Sequence, residues 1–337
     1  MHPNKQLPCI VAIESSCDDT SVAVLKRGKI LANVTAQQHI HKLYGGVVPE
    51  LASRNHEKNI INTFEGAMKQ AKITIDEVDA FAFTQGPGLL GALLVGTSFT
   101  KSLAMALNKP LIAVNHLQAH VAALYIDNPK PSFPFMCLLV SGGHTQILLV
   151  KDYFDFTVVG STLDDAAGEA FDKIGKMLNL PYPAGPVIDK FAQLGNKNAF
   201  TFTTSKVPNF DFSFSGFKTQ ILYFLKKENA HTEDFISKNI HDLCASVQNH
   251  IVNYLLQQVI AAIKSHPIKG LAIVGGVSTN SELREAFKTL ATNKKLELMI
   301  PALEYCTDNA AMIAQAAFYK YQKLDFADLS ITAQARF

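Results

Sequence analysis

The chain is 337 residues long, 48% apolar and 18% charged, with a formal net charge of +2. That length suits two domains of about 150 residues each, and the composition excludes a disordered or fibrous chain. So small a positive charge permits an anionic partner but lacks the dense basic stripe of a protein that grips nucleic acid alone.

Residues 9–14, 21–26 and 29–36 read as three short strands rich in Val, Ile and Ala, with a turn at Arg27-Gly28. A helix is expected over 47–71, a buried strand over 78–84 ending at the breaker QGPG, a helix over 89–107, a strand over 111–114 and a helix over 115–126. The pattern then starts again, with strands at 134–140, 144–151 and 155–160 and helices at 164–179 and 185–195. Residues 196–216 are polar, aromatic and irregular, and read as an insertion, either a mobile flap or a packed segment. Helices at 217–228 and 232–265, a strand at 269–274, a helix at 279–293, a strand at 296–299 and a helix from about 307 to 324 complete the chain.

Both halves follow one order, βββαβαβα, which points to a duplicated α/β architecture. Three strands joined by tight turns make a meander, and the later strands, alternating with helices, should be parallel. The expected division is an N-terminal subdomain over 1–115, with a C-terminal helix over 320–337 packed back on it, and a C-terminal subdomain over 116–319 carrying the insertion. Two such halves facing each other would leave a cleft at the strand C-terminal ends, where ligands of α/β sheets bind.

The five cysteines, Cys9, Cys17, Cys137, Cys244 and Cys306, are odd in number and show no Cys-x-x-Cys spacing. That argues against a disulfide framework and for a reducing cytoplasm. The N-terminal stretch MHPNKQLPCIVAIE lacks the basic region and apolar core of a secretion signal. No run of about 18 apolar residues occurs, so no membrane association is expected. The basic pairs Lys226-Lys227 and Lys294-Lys295 read as solvated helix ends.

Three turns fall where a nucleotide-binding frame needs them. They are Glu14 to Thr20 between the first two strands, Ser141-Gly142-Gly143-His144-Thr145 at the equivalent hairpin of the second half, and Gly275 to Asn280 between a late strand and a helix. Such turns present backbone N–H groups to phosphate oxygens, and the third adds a helix N-terminus. Each alone is also an ordinary hairpin or connection. Their shared placement in a duplicated frame favours a nucleotide site.

His116 and His120 stand at i and i+4, on one face of a helix, where they can chelate one ion. Asp308, at the start of the last helix and in the counterpart position, is the best third ligand. Two histidines and one carboxylate with open positions suit Fe(II) or Zn(II). The competing reading is a pair of surface helix histidines and an N-cap aspartate. The lack of His-Glu-x-x-His argues against a metalloprotease: Leu117 follows His116.

Taken together, the segments IESSCDDT, LYGGVVPELASRNH, GPGLLGALLVG, NHLQAH, LVSGGHTQ, DDAAGEAFDKIGKMLNLPYPAGP, FSFSGFKT, VGGVSTNSELR and CTDNAAMIA resemble the tRNA N6-adenosine threonylcarbamoyltransferase family, called TsaD in bacteria. The resemblance covers nearly the whole chain and looks bacterial rather than archaeal. It implies an actin-like/Hsp70/sugar-kinase (ASKHA) fold and one divalent metal, Fe(II) before Zn(II), on His116, His120 and Asp308. It implies a threonylcarbamoyl-AMP site built from Leu139, Val140, Ser141, Gly142, Gly143, Asp172, Gly185, Asp189 and Asn280. The implied acceptor is the exocyclic amine of the adenosine just 3′ of the tRNA anticodon, in tRNAs reading codons that begin with adenine. A truncated paralogue of the same fold and a small P-loop ATPase are the implied protein partners, with a separate enzyme supplying the adenylate.

Within that reading Asp18 is the candidate general base or tRNA-orienting group; its alternative role is to cap its own loop. Two rivals share the fold: an ATP-dependent small-molecule phosphotransferase, and a non-catalytic nucleotide-binding scaffold. The metal triad argues against both, since kinases hold Mg²⁺ through carboxylates and phosphates.

Overall fold

The computed structural model describes residues 7–127, 131–204 and 207–336. The first part of the chain forms β1 (Cys9–Glu14), β2 (Thr20–Lys26), β3 (Lys29–Ala36), α1 (Pro49–Ala71), β4 (Ala80–Gly86), α2 (Leu90–Ala106), β5 (Leu111–Asn115), α3 (His116–Ala122) and α4 (Leu124–Asp127). Next come β6 (Phe135–Val140), β7 (Thr145–Val150), β8 (Phe156–Ser161), α5 (Ala167–Met177), α6 (Gly185–Ala192), α7 (Ser215–His231), α8 (Phe235–Lys238) and α9 (Ile240–Ser265). The chain closes with β9 (Gly270–Val274), α10 (Ser281–Lys294), β10 (Glu297–Met299) and α11 (Ala310–Gln322).

The described residues form two compact units, each with a five-stranded sheet. The first sheet has the order β3-β2-β1-β4-β5, and the second has β8-β7-β6-β9-β10 when read from the corresponding edge. Within each, the first three strands are antiparallel and the last two join in parallel. The duplication expected from element order is therefore present in strand connectivity. Arg27 and Gly28 both take positive φ, 55° and 77°, as the tight two-residue turn between β2 and β3 demands.

β1 and β6 are buried along their whole length, which is why both are continuous apolar runs. In the first unit Ile13, Val22, Phe81 and Phe83 anchor the core. In the second, Leu138, Phe171, Ile188, Phe214 and Phe287 do so.

Four features differ from the sequence expectation or settle it. The division does not fall between 115 and 116: α3, α4 and the chain from 301 onward lie in the first unit. The reason is that α11 packs on β1, β2 and α3, with every residue from Ala310 to Phe318 buried. The helix expected over 320–337 ends at Gln322, with Leu324 in the left-handed region at φ 58°. The following residues run extended, with Ala327 N–H bonded to the Leu111 carbonyl (2.8 Å) and Gln334 N–H to the Gln85 carbonyl (2.8 Å).

The helix expected over 232–265 is interrupted, because Asp234 adopts φ 58° and Asn239 leaves helical geometry. Among the described residues of 196–216 the phenylalanines pack against the core of the second unit, while 196–199, 201, 203, 204, 208 and 209 stay exposed. Phe202 meets Phe217 and Phe224 edge-on, and the Gln220 side chain pairs with both backbone groups of Thr203 at 3.0 and 2.9 Å. Asp164 accepts from the Ser213 hydroxyl (2.6 Å) and the Phe214 amide (2.8 Å).

Candidate active site

In the first unit His116, His120 and Asp308 come together as a group that could hold a metal ion. Asn115 ends β5 and caps α3, its Oδ1 accepting from the Leu117 and Gln118 amides at 2.9 and 3.1 Å. The cap starts the helix at His116, so His116 and His120 share one face, with ring centroids 4.7 Å apart. Asp308 comes from the turn before α11. Its Oδ1 lies 3.4 Å from His116 Nε2 and 3.2 Å from His120 Nε2.

Glu14, at the end of β1, completes the set from behind. Its carboxylate is fully buried and accepts from the Ser16 amide (2.5 Å), the Thr84 hydroxyl (2.6 Å) and His116 Nδ1 (3.1 Å). Ser16 Oγ also lies 3.2 Å from His116 Nδ1. A proton on Nδ1 therefore faces Glu14, and Nε2 is the nitrogen turned toward Asp308.

The electrostatics are those of a cation site. Burial disfavours a charged His116, but Asp308 and Glu14 outweigh it and raise the pKa to about 10. Burial likewise opposes the Asp308 carboxylate, yet the two histidines hold it well below the ordinary range. Nearby Asp19 is pushed up to about 7, first by burial and then by the charges of Asp18, Asp308 and Glu14. Negative charge is thus concentrated here beyond what one imidazolium neutralises.

The donor set fits a transition metal. His120 is almost wholly buried, yet neither ring nitrogen has a hydrogen bond of acceptable geometry. Its Nε2 approaches Asp308 without aligning on it, as expected when both atoms point at a shared third centre. One ligand atom from each of His116, His120 and Asp308 lies within 4.8 Å of the others. Bonds of about 2.0–2.2 Å to nitrogen and oxygen set neighbouring ligands about 3.0–3.5 Å apart, close to the two distances to Asp308.

Asp18 lies in the loop between β1 and β2, half-buried beside Cys17. Glu14, Ser16 and Thr84 are the residues that sequence reasoning did not assign to this centre. The available signal was a carboxylate closing the otherwise apolar strand CIVAIE.

The second unit holds two of the three loops expected to face a nucleotide, 141–145 and 275–280. Leu139 and Val140 lie in β6 with fully buried side chains, so only backbone at the strand end can meet a ligand. Ser141 closes the hairpin, its Oγ accepting from the His144 amide at 3.1 Å and its carbonyl from the Gly168 amide at 3.2 Å. That second bond lays the loop on the N-terminus of α5.

Asp172, one turn further along α5, accepts from the Ala184 amide (2.7 Å) and the Gly185 amide, tying down the start of α6. Burial raises its pKa above the ordinary carboxylate value. On α6, Asp189 accepts from the Ser281 hydroxyl (2.6 Å) and amide (3.2 Å), and lies 3.4 Å from Asn280 Nδ2. Asn280 caps α10 through the Leu283 amide (3.0 Å) and donates to Gln248 Oε1 (2.7 Å). Gln248, buried in α9 and bonded also to Glu282, was not anticipated. One chain of contacts thus runs from Ser141 to Asn280.

The glycines of this surface divide into two kinds. A Cβ at Gly168 or Gly275 would collide with the backbone of Ser141 or Val140. At Gly142 and Gly143 a Cβ would meet nothing within 4 Å, and at Gly185 only the Phe171 Cβ at 4.0 Å. None of those three has positive φ. Neither a positive φ nor packing calls for glycine at these three positions.

Residues 29–315 match the family described as TsaD, tRNA N6-adenosine threonylcarbamoyltransferase. A protein of that name from Riemerella anatipestifer is 57% identical, covering 97% of each chain. Another, from Kosmotoga olearia, is 45% identical, covering 96% of this chain and 97% of its own. Among solved structures, full-length HypF in its phosphate- and nucleotide-bound form gives a TM-score of 0.63 at 12% identity, over 94% of this chain and 47% of that one. The activator of the 2-hydroxyisocaproyl-CoA dehydratase from Clostridium difficile, with bound ADPNP, gives 0.51 at 14% identity, over 94% and 95%. These two show the actin-like (ASKHA-type) fold. With sequence likeness sustained over almost its full length, the chain belongs to the TsaD family of tRNA N6-adenosine threonylcarbamoyltransferases.

Proposed function

We propose that the chain transfers the threonylcarbamoyl group of threonylcarbamoyl-AMP to the exocyclic amine of the adenosine just 3′ of the anticodon. The product is N6-threonylcarbamoyladenosine, in tRNAs reading codons that begin with adenine. In this reading His116, His120 and Asp308 hold one divalent metal, Fe(II) by preference with Zn(II) as the alternative. Ser141, Gly142, Gly143, Asp172, Gly185, Asp189 and Asn280, with the backbone of Leu139 and Val140, hold the adenylate. The observation that carries the reading is the convergence of the two imidazoles and one carboxylate on a common point.

The adenine amine is a weak nucleophile because its lone pair is delocalised into the ring. It attacks the carbamoyl carbon, the new C–N bond forms, the carbon–oxygen bond to phosphate breaks, and AMP leaves with that electron pair while one amine proton is released. Positioning supplies much of the rate. A bound metal offers Lewis-acid polarisation of an oxygen at its open positions. Glu14 keeps His116 in the tautomer that can ligate. Asp172 and Asp189 suit ribose hydroxyls, since each carboxylate already fixes the backbone beside it. Asp18 takes the released proton or orients the tRNA base.

A net charge of +2 gives tRNA a weak electrostatic hold. That favours assembly with a truncated paralogue and a P-loop ATPase, and a cytoplasmic setting agrees with the five free cysteines. Among the described residues no helix is long and apolar enough to cross a membrane.

The test is transfer of labelled threonylcarbamoyl from its adenylate to unmodified tRNA, with partner proteins supplied. Wild type should transfer label and His116→Ala should not. Equal transfer by both removes the metal from the reaction. Asp18→Asn should slow transfer while sparing donor binding, and an unchanged rate would remove Asp18 from its role.

A further inference from the structure

Two polar residues of the meander have no place in the chemistry above. Ser21, in β2, is completely buried, and Asn33 sits mid-strand in β3, where asparagine is disfavoured. Their partners explain them. The first three amides of α11 each find a side-chain acceptor. Ala310 N–H bonds Ser21 Oγ (3.0 Å), Ala311 N–H bonds Asn33 Oδ1 (3.2 Å), and Met312 N–H bonds Asn309 Oδ1 (3.0 Å). A helix usually satisfies its leading amides from its own cap or from water. Here two of the three are taken by strand residues 289 and 278 positions away in sequence.

Asp308 lies two residues before Ala310. The turn that carries it is closed by Asn309 Nδ2, which donates to the Thr307 carbonyl (2.7 Å) and the Tyr305 carbonyl (3.3 Å). The Ser21 hydroxyl is itself tied to Thr35 Oγ1 (2.9 Å) and the Val34 carbonyl (3.2 Å), so the anchor is part of the sheet. The three ligands are therefore fixed to one sheet at different strands. Asp308 hangs from β2 and β3 and His116 and His120 follow β5, while Glu14, which orients His116, ends the central β1.

We propose that Ser21 and Asn33 are positioning residues that set Asp308 at ligand distance from His116 and His120. The proposal rests on the metal reading given above. The side chains do not touch the metal; they fix the helix start from which its carboxylate ligand projects.

The experiment uses the full chain, stripped of metal and titrated with Co(II), following the visible ligand-field bands and affinity by chelator competition. Asn33→Ala and Ser21→Ala should each weaken Co(II) binding by about 10–100-fold and alter the band shape. Asn33→Asp keeps the acceptor oxygen and should stay within a few-fold of wild type. Loss of stability alone would leave affinity and spectrum of the folded fraction unchanged. The proposal is overturned if Asn33→Ala, or Ser21→Ala should the former not fold, binds Co(II) with wild-type affinity and spectrum. His120→Ala separates the two readings. Wild-type Co(II) binding by that variant overturns the metal assignment, and the positioning roles with it.

Discussion

Glu14 Oε2 stands 3.1 Å from His116 Nδ1, so a fully buried carboxylate orients the ring whose other nitrogen faces Asp308. The same carboxylate also holds the Ser16 amide and the Thr84 hydroxyl. Glu14→Gln preserves shape but replaces one acceptor oxygen by a donor. Metal affinity should fall about 10–100-fold, read by chelator competition, with transfer activity falling alongside. Unchanged affinity would show that His116 needs no orienting partner.

The two kinds of glycine predict opposite behaviour. Gly143→Ala should shift folding stability by no more than about 0.5 kcal/mol, as at an unencumbered surface position, while weakening adenylate binding. Gly275→Ala places a side chain at φ +91° and against the Val140 carbonyl. It should cost about 1–3 kcal/mol of stability. Thermal unfolding together with nucleotide titration distinguishes the pair. A Gly143→Ala variant that binds nucleotide normally would remove that glycine from the site.

Gln248 fixes the amide of Asn280 through a 2.7 Å bond and links it to Glu282. Gln248→Leu leaves both partners buried or half-buried without it, at a cost of about 1–3 kcal/mol. Asn280 then loses the shortest of its side-chain bonds, and AMP affinity measured by calorimetry should drop about tenfold or more. Retained affinity would assign Gln248 to stability alone.

His250 stacks on Phe217 with ring centroids 4.1 Å apart, and its Nε2 is buried without a hydrogen-bond partner. Burial lowers its pKa to about 4. In the unfolded chain it titrates near 6.5. As pH falls below about 6.5 the unfolded state takes up a proton that the folded state refuses, so stability is lost down to about pH 4. His250→Phe removes that proton and keeps the stack. Its melting temperature should therefore drop by a few degrees less than wild type between pH 7.5 and pH 4.5. Parallel curves would show that His250 is not the titrating group.

Much of the architecture was legible in the residues. The apolar runs of β1 and β6 announced strands, and the Arg27-Gly28 turn announced a hairpin. The i,i+4 spacing of His116 and His120 carried its own geometry, because helix periodicity puts both rings on one face. The division of the chain was not legible. Nothing near 301 marks a return to the first sheet; α11 goes there because its largely apolar stretch 310–318 packs on β1, β2 and α3.

The sequence by itself determined which side chains were available: two histidines at helical spacing, an aspartate before a late helix, and glycines in hairpin and helix-start loops. Only the tertiary structure decided that Glu14 stands behind His116, that Ser21 and Asn33 hold the start of α11, and that Gln248 grips Asn280. Those partners are separated by between 32 and 289 positions. Local periodicity specifies which face of an element is apolar, whereas a buried polar group acquires its partner only when packing removes water and forces its hydrogen bonds to be met within the protein.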